Sequence, residues 1–141
     1  MPTAKEIMTR DPITLDVDVT AEEAIRQLVE LRFSAAPVLK DGVMVGIVSE
    51  LELFDVLFDP TLRDATLAEF MTPDAVSVLE DTSHNKVAHL FALHRIRRVP
   101  VLRDGVPVGV VSRRDLLKFA SQCDEPLVDP LSELMTCCDE A

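Results

Sequence analysis

The chain has no tryptophan and no tyrosine, only four glycines and three cysteines, and far fewer basic residues than acidic ones. Each shortage excludes something. Without those two aromatics, no planar ligand can stack on an indole or phenol ring. Four glycines leave little scope for a phosphate-cradling loop, and no Gly-Lys-Ser/Thr loop, Gly-x-Ser-x-Gly or His-Glu-x-x-His is present. Adjacent Cys137 and Cys138 with a distant Cys123 do not make a disulfide framework. No apolar run approaches the roughly 18–20 residues that span a bilayer. The opening Met1-Pro2-Thr3-Ala4-Lys5-Glu6 has no basic stretch leading into an apolar one, so a reduced, cytoplasmic protein is expected. Fourteen Lys and Arg against 25 Asp and Glu leave a net charge of −11. That balance opposes phosphate neutralisation and docking on anionic lipid, so neither nucleic acid nor membrane is an expected partner.

What remains is an ordinary globular composition, 48% hydrophobic and 28% charged over 141 residues. A chain of this size buries roughly 68–70% of its unfolded surface, enough for a core without metals or staples. Charge is unevenly spread. Between Arg95 and Lys118 lie Arg95, Arg97, Arg98, Arg103, Arg113, Arg114 and Lys118 against only Asp104 and Asp115. Such an island is either a face paired with neighbouring carboxylates or a seat for a small anion.

Self-similarity organises the rest. Glu6-Ile7-Met8-Thr9 recurs as Glu69-Phe70-Met71-Thr72, and Pro37-Val38-Leu39-Lys40-Asp41-Gly42-Val43 recurs as Pro100-Val101-Leu102-Arg103-Asp104-Gly105-Val106. Gly46-Ile47-Val48-Ser49 matches Gly109-Val110-Val111-Ser112, and Leu53 matches Leu116, always 63 positions on. The unit is duplicated.

Each copy reads alike. A β-prone run (Ile13-Thr14-Leu15; Ala75-Val76-Ser77-Val78) precedes a helix that opens at Thr20, with Glu23 completing a capping-box pattern, or at Ser83. Apolar residues at helical spacing follow (Ala24, Ile25, Leu28, Leu31; Val87, Ala88, Phe91), and the helix is expected to stop before Pro37 or Pro100. Asp41-Gly42 and Asp104-Gly105 predict tight hairpins. A second amphipathic helix closes each copy, through Leu51, Leu53, Phe54, Leu57 and through Leu116, Leu117, Phe119, Ala120. Asp59-Pro60 marks a linker, with a short helix leading to Met71. The expected fold class is α/β (α+β): two β-α-β-β-α repeats packed around a pseudo-two-fold axis. Residues 1–60 form the first repeat, 61–125 the second and 126–141 a tail.

A Met-Thr start, a helix running to x-Pro-Val, an Asp-Gly hairpin and Gly-h-h-Ser-x-x-Asp before a closing helix together resemble a tandem cystathionine-β-synthase-type (CBS) domain pair, or Bateman module. The resemblance covers Glu6 to Ser121. It implies a regulatory module, not an enzyme. No cofactor is required; the ligand it implies contains adenosine: AMP, ADP or ATP first, S-adenosylmethionine or NAD after them. The residues agree with an anionic nucleotide. Ser112-Arg113-Arg114-Asp115 falls where a strand enters a helix, which favours phosphate. Ser112 can donate a hydroxyl, Asp115 can accept from a ribose diol, and Arg97 and Arg98 can fork onto phosphate.

Carried over from the family, one cleft would use Val110, Ser112, Arg114 and Asp115 with Thr9, Thr14, Phe33 and Ser34. The other would use Ile47, Ser49 and Glu52 with Thr72, Ser77, Ile96, Arg97 and Arg98. Glu52 stands where the family has Asp, and Ala35 and Ala36 stand where the second repeat has Arg98 and Val99. Unequal clefts are therefore expected, the first binding better. Val110, Ile47, Phe33 and backbone groups would grip the base.

Other constellations point to bland roles. His84, His89 and His94 are five apart, so successive members lie roughly 140° apart around a helix and share no face; zinc pairs want spacings of three or four. No metal site is expected. Cys137-Cys138 lacks Cys-x-x-Cys spacing. Glu133-Leu134-Met135-Thr136 is a third copy of the lead-in motif without a repeat body. A homodimer through the closing helices is expected. The alternative is a ligand-free interaction module regulating a partner enzyme or transporter.

Overall fold

The computed structural model describes residues 2–122; the tail, the three cysteines and the third lead-in motif lie outside the described residues. In chain order come α1 (Ala4–Ile7), β1 (Thr9–Arg10), β2 (Leu15–Asp16), α2 (Ala21–Leu31), β3 (Ala35–Lys40), β4 (Val43–Ser49), α3 (Glu50–Leu53) and α4 (Asp55–Phe58). Two 3-10 turns follow (Pro60–Asp64 and Leu67–Glu69). Then come β5 (Thr72–Pro73), β6 (Val78–Leu79), α5 (His84–His94), β7 (Arg98–Arg103), β8 (Val106–Ser112) and α6 (Arg113–Gln122). The expected β-α-β-β-α order appears twice, each time with one extra two-residue strand, β1 or β5, formed by the Met-Thr lead-in. The first closing helix is broken at Phe54 into α3 and α4, and the lead to Met71 is two 3-10 turns rather than a helix.

Contacts divide the described chain into two compact units, one of residues 11–76 with 104–107, the other of residues 2–10, 77–103 and 108–122. The repeats divide the sequence differently: each unit holds one repeat's body and the other repeat's lead-in. In the first unit the strand order is β2-β3-β4-β5, with β2 parallel to β3 (Leu15 opposite Val38) and β4 antiparallel to β5 (Ile47 opposite Thr72). In the second it is β1-β8-β7-β6, with β6 parallel to β7 (Val78 opposite Val101) and β1 antiparallel to β8 (Thr9 opposite Val110). A parallel pair needs a crossover, and α2 and α5 supply it.

Helix starts follow the sequence signals, with one difference. The Thr20 hydroxyl accepts from the Glu23 N–H at 3.3 Å, and Ser83 does the same for Lys86. Glu23 does not complete the box. Its carboxylate turns to Arg26, at 2.6 and 2.5 Å, and to Gln27, and the Arg26 bond holds it below the usual carboxylate range. Both helices end before the prolines, as expected, but several residues short of them. Both α2 and α5 stop at an arginine in the left-handed region, Arg32 (φ 59°) and Arg95 (φ 52°), well ahead of the prolines. Pro37 and Pro100 sit within β3 and β7. A left-handed residue is a common helix stop, though without glycine it costs on the order of 1–2 kcal/mol. The hairpin turns have positive φ at both Asp41-Gly42 and Asp104-Gly105, the type I′ pattern that suits twisted strands.

The first unit's core gathers Leu15, Leu28, Val38, Val48, Leu53 and Leu67 around the β2-β3-β4-β5 sheet. In the second unit Val78, Val87, Val99, Val101, Val111 and Leu116 are buried. Burying each such side chain stabilises by about 1.5–3 kcal/mol. Leu31, expected on the buried face of α2, is exposed at the helix end.

Candidate ligand-binding site

The site is built on the strand-to-helix turn that each repeat repeats. In the second unit β8 ends at Ser112 and α6 begins one residue later. The Asp115 Oδ2 accepts from the Ser112 N–H at 2.8 Å and from its hydroxyl at 3.1 Å, while the Asp115 N–H donates to Ser112 Oγ at 3.2 Å. This is a capping box with Asp in the place of the usual Glu. The carboxylate is thereby pinned at the turn, half-buried, with its second oxygen turned outward from the box. Thr9 comes in on β1 opposite Val110 and shares its hydroxyl between Asp115 Oδ1 and Oδ2, at 3.3 and 3.4 Å.

What admits Thr9 is Gly109. A Cβ there would run into the Met8 side chain and would stand 2.9 Å from the Thr9 carbonyl oxygen. The pre-proline segment is fastened to the same turn by backbone groups: the Arg113 N–H donates to the Arg97 carbonyl and Arg113 Nε to the Ile96 carbonyl, both at 3.2 Å. Arg97, Arg98, Arg113 and Arg114 thus belong to two segments held together at the start of a ten-residue helix, where the helix dipole also favours anions. A groove of about 280 Å³ opens beside Asp115 and Thr9, between residues 6–9 and the α6 face carrying Lys118, Phe119 and Gln122.

The first unit builds the same turn from different side chains. Glu52 Oε2 accepts from the Ser49 N–H at 3.0 Å and from the Ser49 hydroxyl, and Oε1 accepts from the Thr72 hydroxyl at 3.0 Å. Gly46 makes room for β5, since a Cβ would stand 2.7 Å from the Thr72 carbonyl oxygen. The Glu50 N–H donates to the Ser34 carbonyl at 2.9 Å, the counterpart of the Arg113 bond to Arg97. No arginine accompanies this turn: Glu50 and Leu51 stand where the other has Arg113 and Arg114.

The structure therefore brings Thr9, Val110, Ser112 and Asp115 together in one unit and Ile47, Ser49, Glu52 and Thr72 in the other. Arg114 follows Ser112 in the first turn of α6. Thr14 precedes β2, and Phe33 and Ser34 join α2 to β3, in the unit of residues 11–76. Ser77 precedes β6, Ile96 and Arg97 lead into β7 and Arg98 opens it, in the unit that holds Asp115. The pre-proline segments are tied to their own repeat's turn, a link that sequence reading does not supply because backbone carbonyls carry it. Arg113 is a further cation of the site that the motif did not single out.

The basic island is partly paired. Arg103 forms a bidentate bridge to Glu80 at 2.9 and 2.8 Å, which lowers the Glu80 pKa from its ordinary value. His84 is held against the Pro2 carbonyl, with ring nitrogen and oxygen 3.1 Å apart, and packs on Phe119 with ring centroids 5.0 Å apart. Among the described residues no three His, Cys, Asp or Glu side chains gather as a metal site, and no helix is long and apolar enough to cross a membrane.

Comparison with known proteins agrees with this duplicated architecture. The family model described as CBS domain matches twice, over residues 4–59 and 67–122. The uncharacterized protein YlbB of Bacillus subtilis is 32% identical over 139 residues, 95% of this chain and 92% of its own length. Inosine-5'-monophosphate dehydrogenase of Methanocaldococcus jannaschii is 29% identical over 117 residues, 82% of this chain but only 23% of that enzyme. Among solved structures, CBSX2 in complex with AMP superposes with a TM-score of 0.76 at 25% identity, covering 86% of this chain and 98% of that one. The CBS domain pair of protein MJ0100, in complex with 5-methylthioadenosine and S-adenosyl-L-methionine, gives 0.74 at 25% identity over the same 86% and 98%. Two matched repeats, two four-stranded sheets and the paired Ser-x-x-acid turns place the chain in the CBS domain family, as a tandem pair.

Proposed function

We propose that this chain is a regulatory module that binds one adenine nucleotide, AMP, ADP or ATP, at the Ser112–Asp115 turn and senses it without consuming it. The observation that carries the reading is the state of the Asp115 carboxylate. One oxygen is committed to the Ser112 N–H and hydroxyl, while the other has, among the described residues, only the long, shared Thr9 hydroxyl. An ionised carboxylate oxygen has two acceptor positions, so Asp115 keeps acceptor capacity for a ribose diol. Arg97, Arg98, Arg113 and Arg114 supply the cations for phosphate. The AMP of CBSX2 and the adenosine-type ligands of MJ0100, proteins alike over 86% of this chain, support the ligand class.

The Ser49–Glu52 turn we assign a structural role. Both Glu52 oxygens hold bonds of 3.0 Å to groups of its own unit, and Glu50 and Leu51 follow Ser49 where Arg113 and Arg114 follow Ser112. Thr9, Val110, Ser112, Arg114 and Asp115 make up the proposed ligand set; Ile47, Ser49, Glu52 and Thr72 belong to the weaker turn. The functional form is a homodimer through the closing helices. Ligand acts by preferring one arrangement of the module over another, since only differential affinity shifts a population.

Titration calorimetry of the full chain with AMP, ADP, ATP and S-adenosylmethionine tests the reading. Saturable binding of at least one of them is expected, weakened by Asp115→Ala about 10–100-fold, the worth of hydrogen bonds to a charged group. No heat with any ligand at millimolar concentration would overturn it.

A further inference from the structure

We infer that the seat over Gly109 on β8 takes two segments of this chain in turn: residues 4–9, which fill it in the structure, and residues 131–136 of the tail. The inference goes beyond the nucleotide reading and does not depend on it.

The two seated lead-ins show what a seat demands. At one, the His84 N–H donates to the Pro2 carbonyl at 3.0 Å and the Ala4 N–H to the Thr82 carbonyl at 2.7 Å. At the other, the Ala21 N–H donates to the Ala65 carbonyl at 2.8 Å and the Leu67 N–H to the Val19 carbonyl at 2.9 Å. The side chains repeat too. Ala4 and Leu67 are fully buried, Ile7, Met8, Phe70 and Met71 are half-buried, and residues 5, 6, 9, 68, 69 and 72 are exposed. Each segment ends with a threonine hydroxyl on the acid of a Ser-x-x-acid turn. A seat therefore asks for apolar-x-Glu-apolar-Met-Thr, with the apolar side chains inward.

Leu131-Ser132-Glu133-Leu134-Met135-Thr136 meets that demand at every position. Pro130 stands where the seated segments have Thr3 and Thr66. The bonds above use the carbonyl before that residue and the N–H after it, so a proline there loses neither. Spacing agrees: Thr72 follows Glu52 by 20 residues, and Thr136 follows Asp115 by 21. The 67–72 segment seats on the body that precedes it in the chain. By the same rule the tail segment belongs on the body of β7 and β8, where residues 4–9 now sit.

Charge agrees as well. Residues 123–141 carry Asp124, Glu125, Asp129, Glu133, Asp139 and Glu140 and no lysine or arginine. Arg113, Arg114 and Lys118 stand exposed on α6, the helix that opens at this seat's turn. The present occupant is also the less firmly held of the two, since Thr9 reaches its acid at 3.3–3.4 Å and Thr72 at 3.0 Å. With the tail seated, Met135 takes the space Met8 fills beside Gly109, Thr136 replaces Thr9 at Asp115, and residues 4–9 are released.

Hydrogen exchange of the full-length chain, read by mass spectrometry, tests this in wild type, the double variant Leu131→Asp/Met135→Asp, and Met8→Ala. Removing the competitor is expected to slow exchange at the Ala4 and Met8 N–H groups at least about threefold, because one route to their opening is lost. Weakening the seated lead-in is expected to raise protection of residues 134–136 about tenfold. Circular dichroism checks that Met8→Ala folds; if it does not, the tail variant decides alone. Unchanged exchange at residues 4–8 in the tail variant overturns the inference, as does an unprotected 134–136 segment in folded Met8→Ala. Effects that grow with protein concentration assign the tail to the seat of a second copy and overturn the exchange within one chain.

Discussion

The two strand-to-helix turns share a backbone design and differ by one methylene. Ser112–Asp115 and Ser49–Glu52 both fold their carboxylate back onto the serine N–H, and both receive a threonine hydroxyl from a Met-Thr strand seated over a glycine. The longer Glu52 reaches its threonine at 3.0 Å with the oxygen that the serine leaves free. The shorter Asp115 leaves its threonine at 3.3–3.4 Å, divided between both oxygens. Each outer carboxylate oxygen keeps a second acceptor position, and at Asp115 the threonine contact is also the longer and more easily displaced one. The neighbouring charge divides the same way, with Arg113 and Arg114 beside one turn and Glu50 and Leu51 beside the other. Duplication supplied two turns of one shape, and their side chains now differ in the length of the threonine contact and in the charge that follows the serine.

The comparison can be broken most forcefully at the glycines. Gly109→Ala and Gly46→Ala each force a methyl against a strand carbonyl, 2.9 Å from Thr9 and 2.7 Å from Thr72. Each is expected to destabilise the chain by about 1–3 kcal/mol, the usual cost of overpacking. Urea unfolding measures that cost. Only Gly109→Ala is expected also to weaken nucleotide binding in calorimetry; equal loss in both would erase the distinction between the turns.

Next in size are the threonines. Thr72→Val removes a well-formed bond to a carboxylate and is expected to cost about 1 kcal/mol. Thr9→Val removes a longer, shared one and is expected to cost less than half as much. Chemical denaturation midpoints of the two variants, at unchanged m-value, decide the order.

The smallest effect distinguishes the sheets. Arg103 and Glu80 pair in the second unit, whereas the corresponding positions of the first repeat are Lys40 and Val17. Glu80 is held below the usual carboxylate range by the Arg103 bond. Its pairing therefore contributes fully above the ordinary glutamate pKa and is lost as pH falls through the lowered one. Wild type should lose slightly more stability on acidification than Glu80→Gln, while Lys40→Gln should leave the slope unchanged. Urea midpoints at neutral and acidic pH read the difference.

Much of this was legible in the residues. The 63-residue register announced the duplication, Asp-Gly announced both hairpins, and Thr20 and Ser83 announced two helix starts. Each signal is local and acts through its own backbone. The exchange of lead-ins was not legible, because β1 and β5 are two-residue strands whose partners are far along the chain. Arg32 and Arg95 hid two helix ends, since nothing in an arginine advertises left-handed geometry. The proline signal pointed past them. Glu23 misled for a related reason: Arg26 and Gln27, one turn on, outcompete the backbone for its carboxylate. At the site, Ser112, Asp115 and Thr9 were readable from the motif, and the threonine lengths that separate the two turns were not.

Calorimetric titration of AMP into Asp115→Ala and Glu52→Ala, run beside the wild-type chain, tests the central claim most directly. The account predicts that wild type takes up one nucleotide per chain, that Asp115→Ala weakens the uptake at least about tenfold, and that Glu52→Ala retains wild-type affinity. Equal losses in both variants, or a loss confined to Glu52→Ala, would contradict it.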